Sequence, residues 1–274
     1  MFLSDGTLDA TFSRELGALS SLQLRGEEIL AAPLQLRVWS ETANQNAGAE
    51  EVNAWRVAGL DNVKLSRVTA RIQGESITLG VRGSCKADDE AFFLGQIWTL
   101  QNGILQVNNH FTVSQNLPDL PRLGLTLALL PGFDSLEWPG RGSHENYCDR
   151  CAGSYFSRFQ SSVAAQDFPY VVPQEHGNST EVRSAKLENG ALGLEVAALD
   201  TPFKASASHF TPADLFAARH TFDLQTRPHT QLNLDVKQRG LGTASHGPDA
   251  SECPRIGAGE YEMNLALRLY KIGE

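Results

Sequence analysis

The chain has 274 residues, of which 41% are apolar and 20% are charged, a composition that supports a sizeable folded core and argues against a disordered chain. Its formal net charge is −9 and it contains no Lys/Arg run, which argues against nucleic acid or an anionic membrane as a partner. The length fits either two small domains or one large all-β domain.

The first twelve residues, MFLSDGTLDATF, lack the basic segment and apolar run of a signal peptide, and no run of eighteen apolar residues occurs anywhere. We therefore expect a soluble, cytoplasmic protein. Four cysteines are too few for a disulfide framework in a chain of this length. We interpret Cys85 and Cys253 as free thiols packed like small apolar side chains.

Alternating apolar and polar residues predict strands along most of the chain, each with one buried and one solvent-facing side. Six such runs come first, at 19–26, 34–40, 63–72, 76–83, 93–100 and 104–113, and five follow, at 123–130, 192–199, 203–210, 230–238 and 261–270. Turn residues such as Gln101-Asn102-Gly103 and Glu188-Asn189-Gly190 separate them. Eleven or more strands predict a large antiparallel sandwich.

Helical signals are few. One short helix is expected near 212–219, because Thr211 can cap it, Pro212 suits its first position and Asp214 lies in its first turn. The chain has no βαβ alternation, no Walker loop and no GxGxxG, which argues against doubly wound nucleotide-binding folds. The segment 132–178 interrupts the strand pattern, so we expect function there or in the other loops.

The stretch GSHENYCDRC, residues 142–151, is the densest set of reactive side chains. Cys148 and Cys151 have the spacing of half a zinc site or of a redox pair, but a structural zinc site needs two more ligands and the sequence has no second CxxC. His144 and His176 could complete a site in principle, and the two cysteines could form a disulfide. A packed turn is the simpler interpretation, since a lone CxxC outside a βαβ unit indicates little.

Carboxylates are also concentrated in the middle segment. Glycosidases use a pair of them, and Glu145, Asp149, Asp167 and Glu175 are close enough in sequence to converge. Spacing alone does not fix the distance between them, so ion pairs and hydrogen bonds that stabilise turns remain the simpler interpretation.

A second candidate lies in the Gly-rich stretch GLGTASHGPD, residues 240–249, where His246 follows Ser245. A polar, adaptable loop of this kind suits a sugar ring, whose hydroxyls need hydrogen bonds and whose C–H face packs on flat side chains. An exposed turn histidine fits the same pattern.

Three segments together resemble the carboxyl-terminal domain of glycoside hydrolase family two β-galactosidases, which also occurs as the separate small subunit of heterodimeric β-galactosidases. They are residues 120–150, 168–183 and 240–249, and the specific signature is ENYxDR followed by PYVxPQExGN. LGALSSLQLRGEEIL, VWSETANQN and NAWRVAGL resemble the start of the same domain, so the similarity covers nearly the whole chain. It implies a single galactose-mutarotase-like supersandwich over residues 1–274, all-β with at most one or two short helices.

The same resemblance implies a division of labour. In the family, the catalytic glutamate pair and the magnesium and sodium sites belong to a barrel domain and its neighbours, and neither catalytic motif is present in this chain. The chain is therefore expected to hold no catalytic residue and no cofactor of its own. It would complete the galactoside-binding site of a separate catalytic barrel that hydrolyses terminal β-D-galactosides such as lactose.

The implied partners are a β-galactosidase large chain or upstream domains, and the galactoside substrate. A chain that docks onto a barrel should also expose an apolar patch larger than a free monomer tolerates.

The resemblance assigns the sugar contacts to two loops. Many members carry an Asp-Asn-Asp loop where this chain has Asn44-Gln45-Asn46, and a Trp at the sugar subsite where it has His246. We expect the substrate to contact Asn44, Asn46, Ser245 and His246, with the imidazole offering less stacking area than an indole. The resemblance implies a structural turn formed by Glu145, Asn146, Tyr147, Asp149 and Arg150. In this turn Cys148 replaces the usual Pro.

Two other functions are compatible with the sequence. A stand-alone carbohydrate-binding module without catalysis would bind galactose or lactose by itself. An aldose mutarotase rests on fold analogy alone and needs a His acid and a Glu base facing each other across a sugar.

Overall fold

The computed structural model describes residues 1–40, 50–240 and 255–274, without the side chains of residues 50–53. Within these ranges eighteen strands form three sheets in which every pairing is antiparallel. The strands before residue 120 are β1 (Phe2–Ser4), β2 (Leu8–Ser13), β3 (Ala18–Leu24), β4 (Glu27–Glu28), β5 (Leu30–Arg37), β6 (Lys64–Gln73), β7 (Ser76–Cys85), β8 (Asp88–Gln101) and β9 (Ile104–Val113).

The remaining strands are β10 (Arg122–Leu129), β11 (Ser135–Gly142), β12 (Tyr155–Ser162), β13 (Ser179–Val182), β14 (Ser184–Glu188), β15 (Leu192–Ala198), β16 (Phe203–Ser208), β17 (Thr230–Gln238) and β18 (Gly259–Lys271). Two α-helices, α1 (Glu50–Ala58) and α2 (Pro212–Ala217), and three single-turn 3₁₀ helices (Leu60–Asn62, Ala164–Gln166 and Thr221–Asp223) complete the described elements. None of these helices is both long and apolar enough to cross a bilayer. The all-β fold with two short α-helices is confirmed.

The strand orders are β1-β2-β3-β4 in the small sheet, β13-β16-β17-β10-β5 in the five-stranded sheet and β12-β11-β14-β15-β18-β9-β8-β7-β6 in the large sheet. One cluster of buried apolar side chains draws residues from all three sheets. It includes Phe12 and Leu22 from the small sheet, Leu125 from the five-stranded sheet and Trp98 and Leu265 from the large one. Burial of this shared apolar surface holds the layers together.

The five-stranded sheet differs from the expected pattern of one wet and one buried side. All eight residues of β10 are buried, and so are the first six of β17. These two strands lie next to each other in the interior of the sheet, between β16 and β5. Polar residues on them are therefore buried and need partners within the protein.

Alternation predicted the central strands well and missed others. β9 and β17 have the predicted bounds, and the Asn102-Gly103 turn before β9 has both residues at positive φ, as a two-residue type I′ hairpin turn requires. Strands β11 and β12 were missed because Pro139, Gly140 and Gly142 interrupt the apolar pattern and because β12 is an edge strand without a buried residue. Helix α1 was also missed.

Helix α2 begins where the sequence predicts it and ends two residues earlier than expected. The Thr211 hydroxyl accepts a hydrogen bond from the Asp214 backbone N–H, while the Asp214 carboxylate accepts one from the Thr211 backbone N–H, which forms a capping box. Arg227 also donates two hydrogen bonds to Asp214, at 2.5 and 2.7 Å. These bonds from Arg227 and Thr211 lower the pKa of Asp214 to about 2.

We expect Asp214→Asn to lower the free energy of unfolding by about 1 kcal/mol at pH 7, because it weakens both the cap and the ion pair at a partly exposed site. The folded-state pKa of Asp214 lies below its ordinary value of 3.8, so the carboxylate contributes stability above pH 4 and loses it as the pH falls towards 2. Urea unfolding at pH 7 and pH 3 measures this. An equal difference in unfolding free energy between the wild type and Asp214→Asn at both pH values would contradict this expectation. Asp223→Asn, in the nearby 3₁₀ helix, is the control.

Candidate functional site

Three strand ends of the five-stranded sheet lie at one edge. Strand β5 ends at Arg37, β10 begins at Arg122 and β17 ends at Gln238, and the antiparallel register pairs Arg122 with Gln238 and Gly124 with Arg37. Residues 41–49 follow β5 in the chain and residues 241–254 follow β17. The predicted sugar contacts Asn44, Asn46, Ser245 and His246 lie in these two segments, outside the described residues. The described site is the base from which both segments leave.

A buried ion-pair network occupies this edge. Arg122 donates to both carboxylate oxygens of Asp235, one bond measuring 3.3 Å, and its Nη1 donates to Glu175 Oε2 at 2.6 Å. The Arg122 and Asp235 side chains are only 2% and 0% exposed. Such charges are stable in the interior only because each carboxylate oxygen has a donor and each guanidinium has an anion.

Glu175 connects this ion pair to strand β5. Its Oε1 accepts a bond from Arg37 Nη2, and its Oε2 accepts one from the Ser40 hydroxyl at 2.5 Å. Arg37 Nη1 donates further to Asn233 Oδ1 at 2.5 Å. Glu175 therefore fixes Ser40, the residue that precedes segment 41–49.

The backbone of β10 leaves room for this network at Gly124. A Cβ at this position would overlap the carbonyl oxygen of Leu234 and the carboxylate of Asp235 on the neighbouring strand. Glycine is thus required here for a close approach between strands, which lets the Asp235 carboxylate lie against β10 beside Arg122.

Lys204 adds a further cation near the network. Its ammonium group donates to the Val236 carbonyl oxygen at 2.9 Å. Burial lowers the pKa of Lys204, and the nearby negative charge of Asp235 opposes that shift. The region therefore carries its charges in a largely water-free environment, where they constrain geometry strongly.

The segment Asp119-Leu120-Pro121-Arg122, which we call the clamp, contacts the chain on both sides of the two undescribed segments. Asp119 accepts a bond from Arg239 Nε at 2.6 Å on its carboxylate and one from Trp55 Nε1 at 2.6 Å on its carbonyl. The Leu120 N–H donates to Ile256 O at 2.8 Å, and the Pro121 carbonyl accepts from the Arg239 N–H at 3.0 Å.

Trp55 lies in α1, just after segment 41–49, while Arg239 and Ile256 lie on either side of segment 241–254. Through Glu175, the clamp residue Arg122 also reaches Ser40, before the first segment. The clamp thus connects the four chain positions that flank the two segments. The Arg239 guanidinium also lies 5.5 Å from the Trp55 ring.

The ENYCDR turn packs beside this base. Glu145 accepts bonds from the Tyr170 hydroxyl at 2.5 Å, the Gly177 N–H at 2.9 Å, Arg150 Nη2 at 2.9 Å and the Tyr147 hydroxyl at 3.1 Å. Burial alone would raise the pKa of Glu145, but these donors outweigh it and the pKa is lowered. Glu145 thereby joins the turn to the loop that carries Glu175.

Asn146 is completely buried and every polar atom of its side chain has a partner. Its Oδ1 accepts from the Thr180 N–H at 2.9 Å and hydroxyl at 2.5 Å, and its Nδ2 donates to the carbonyl oxygens of Arg141 at 3.2 Å and His144 at 3.1 Å. Its backbone also exchanges bonds with Asn178. This one side chain connects β11, the turn and β13.

Cys148 and Asp149 bring the turn against the end of β17. The Cys148 thiol lies 3.6 Å from the Gln238 carbonyl oxygen, and Gly240 leaves room for the Asp149 carboxylate, since a Cβ there would lie 2.5 Å from Oδ2. Both CxxC cysteines are free thiols, and burial raises the pKa of Cys148. In the described part of the chain no group of three or more His, Cys, Asp or Glu side chains could hold a metal ion.

The candidate acids of the middle segment each have their own partners. Glu175 binds Arg37, Arg122 and Ser40, as described above, whereas Asp167 lies 2.7 Å from His176 Nε2. His176 Nδ1 is 2.8 Å from the Gln174 carbonyl oxygen. The two acids therefore serve as ion-pair partners and hydrogen-bond acceptors that order the loop.

Of the buried network, Glu175 was among the candidate acids named from the sequence, but its partners were not. Arg37, Arg122, Asp235 and the clamp residue Asp119 were not among the candidate residues, although Arg122 lies within residues 120–150, which resemble the family. Polar residues inside β10 and β17, the two strands buried on both sides, were the signal that could have indicated them.

Comparison with known proteins agrees with this architecture. The family model of the β-galactosidase small chain matches residues 4–267. The chain belongs to the β-galactosidase small-chain family. Among full β-galactosidases, that of Priestia megaterium is 29% identical over 238 residues, covering 85% of this chain and 23% of the relative. That of Kluyveromyces lactis is 26% identical over 268 residues, covering 92% of this chain and 25% of the relative.

This family member therefore spans about a quarter of the length of the curated relatives it matches. Solved structures share its fold. A galactose mutarotase-like protein from Lactobacillus casei superposes with a TM-score of 0.57 at 9% identity, covering 98% of this chain and 99% of that one. A galactose mutarotase related enzyme from Lactobacillus acidophilus gives 0.54 at 9% identity, with 98% and 97% covered. At such identity these likenesses establish the galactose-mutarotase-like fold alone.

Proposed function

We propose that this chain completes the galactoside-binding site of a β-galactosidase whose catalytic barrel is supplied by a separate chain or by upstream domains. The catalytic glutamate pair, magnesium and sodium belong to that partner. The substrates are terminal β-D-galactosides such as lactose, and the complex acts in the cytoplasm.

The observation that carries this proposal is the clamp. Its contacts with Trp55, Arg239 and Ile256, and its link to Ser40 through Glu175, fix the bases of the two segments that contain the predicted sugar contacts. Rigid placement of loops that meet a substrate is what a protein gains from such a buried network. Full-length relatives named as β-galactosidases contain about four times as many residues as the matched stretch, which is consistent with a partner that holds the catalytic groups.

The test is hydrolysis of a chromogenic galactoside. We expect the isolated chain to hydrolyse none, and the catalytic polypeptide of the source organism to become active when the chain is added. The chain heated past its unfolding transition is the matched control for the addition. Hydrolysis by the isolated chain, or no gain with the native chain, would reject the proposal.

A stand-alone sugar-binding module is the alternative that one observation favours. A cavity of about 680 Å³ opens beside the ENYCDR turn, lined by Glu145, Arg150, Asp167, Phe168 and Tyr170 among others. Aromatic faces beside charged hydrogen-bonding groups are suited to a sugar. Millimolar or tighter binding of galactose to the isolated chain in a calorimetric titration would support this alternative.

Mutarotation finds less support. Among the ion pairs of the described residues, the one between a His and a Glu joins His110 and Glu262, 3.9 Å apart on the large sheet. Both line a cavity of about 470 Å³, but they contact each other and so do not face each other across a sugar. A polarimetric assay with no increase in rate would exclude this function.

A further inference from the structure

Large apolar side chains are exposed on two neighbouring segments beside the clamp. Phe168, Val171 and Val172 lie on the loop that leads to Glu175, and Phe216 and Phe222 lie on α2 and the 3₁₀ helix after it. We call these five residues the apolar patch. Phe222 and Val171 are 84% and 83% exposed, far more than aromatic and branched side chains normally are in a free monomer.

A hydrogen bond brings the two segments together. The Thr221 hydroxyl donates to the Tyr170 carbonyl oxygen at 2.7 Å. Phe222 and Val171 directly follow these two residues in the chain. The Phe168 and Tyr170 rings are 4.6 Å apart. The two segments are therefore adjacent at Thr221 and Tyr170, and exposed apolar residues of both segments flank this contact.

The patch borders the base of the predicted sugar-contacting segments. The Arg56 guanidinium lies 5.0 Å from the Phe216 ring and 5.7 Å from the Trp39 ring, so it links α2 to the residue just before Ser40. On the other segment, Val172 lies three residues before Glu175, which bonds to Ser40 and Arg122. A body that covers the ends of β5 and β17 would also meet the patch.

The backbone beneath the patch is held in place. The capping box and the Arg227 ion pair fix α2 below Phe216, and the bond from the Tyr170 hydroxyl to Glu145 fixes the loop between Phe168 and Val171. A surface that is ordered before binding loses little conformational entropy when a partner covers it. Exposed, well-anchored aromatic residues are typical of binding hot spots.

We propose that the apolar patch is the docking face for the catalytic polypeptide of the β-galactosidase, an inference that rests on the proposed function. Two observations favour this occupant. About three quarters of each relative's length lies outside the stretch that matches this chain, so a partner of that size needs a contact surface on this chain. A partner that presents a galactoside to Asn44 and His246 must approach the edge that the patch borders.

The experiment is a sedimentation-velocity titration of the chain with the catalytic polypeptide of the source organism, without substrate. We expect Phe222→Asp and Val171→Asp each to weaken binding at least tenfold and the double variant at least a hundredfold. Ile72→Asp is the matched control, because Ile72 is 59% exposed on the large sheet, and it should change binding less than twofold. Thermal unfolding of each variant checks that the fold is retained.

Two results would overturn the proposal that the apolar patch is the docking face. Binding of the double variant at full strength would do so, and so would a dimer of the isolated chain that Phe222→Asp dissociates, because a second copy would then cover the patch. Failure of the proposed function looks different. In that case the wild-type chain and the polypeptide form a complex that Phe222→Asp weakens, yet the saturated complex hydrolyses no galactoside.

Discussion

Replacing Arg122 with Met is expected to lower the free energy of unfolding by about 3–5 kcal/mol, because it leaves two buried carboxylates without their shared cation. Asp235 is fully buried and Glu175 is 12% exposed at its side chain, so neither can recover the lost partner from solvent. Urea unfolding followed by circular dichroism measures the loss. Adding Asp235→Asn to Arg122→Met should restore part of the stability, since it removes one unpaired charge.

Arg158→Met is the matched control. Arg158 pairs with Glu137 at 2.7 Å, but the two side chains are 67% and 27% exposed. Exposed pairs contribute little, so the control should lose about 0.5 kcal/mol or less. Equal losses for Arg122→Met and Arg158→Met would contradict the buried network.

The second large effect is expected for Asn146→Asp, with a loss of about 3 kcal/mol at pH 7. The substitution keeps the oxygen that accepts from Thr180 but sets a carboxylate oxygen against the Arg141 and His144 carbonyl oxygens, in a site with no exposure. Burial and this repulsion raise the folded-state pKa of the new carboxyl. The loss should therefore be small below pH 4 and grow as the pH rises towards that raised pKa.

Asn108→Asp provides the control for this variant, because Asn108 is an exposed residue of β9. This variant makes the same chemical change at an exposed position. Its free energy of unfolding should differ from that of the wild type by less than about 0.5 kcal/mol at every pH in the range. A pH-independent loss for Asn146→Asp would show that the effect comes from shape and not from charge.

The strands that cross the middle of the large sheet were predictable because one side of each is buried and the side chains alternate with it. β9, ILQVNNHFTV, is the example, since every second residue along its whole length is buried. β11 was not predictable in this way. Its burial also alternates, but Pro139 and two glycines occupy positions where a sequence pattern expects apolar or strand-forming side chains.

The pairing of residues within the buried network was out of reach for a different reason. Arg37, Arg122, Glu175 and Asp235 lie on separate parts of the chain, and in the sequence each resembles an ordinary surface charge. Only the tertiary arrangement, in which β10 and β17 are covered on both sides, makes them partners. The ENYCDR turn was visible through its resemblance to the family, whereas its contacts with Tyr170, Gly177 and Thr180 required the fold.

The most direct test of the central claim is a titration of the catalytic polypeptide with this chain, read as the rate of chromogenic galactoside hydrolysis. The account predicts a rate that starts near zero, rises with added chain and saturates at one chain per catalytic polypeptide. A catalytic polypeptide that is fully active alone, or one whose rate stays flat across the titration, would contradict the claim that this chain completes the galactoside site.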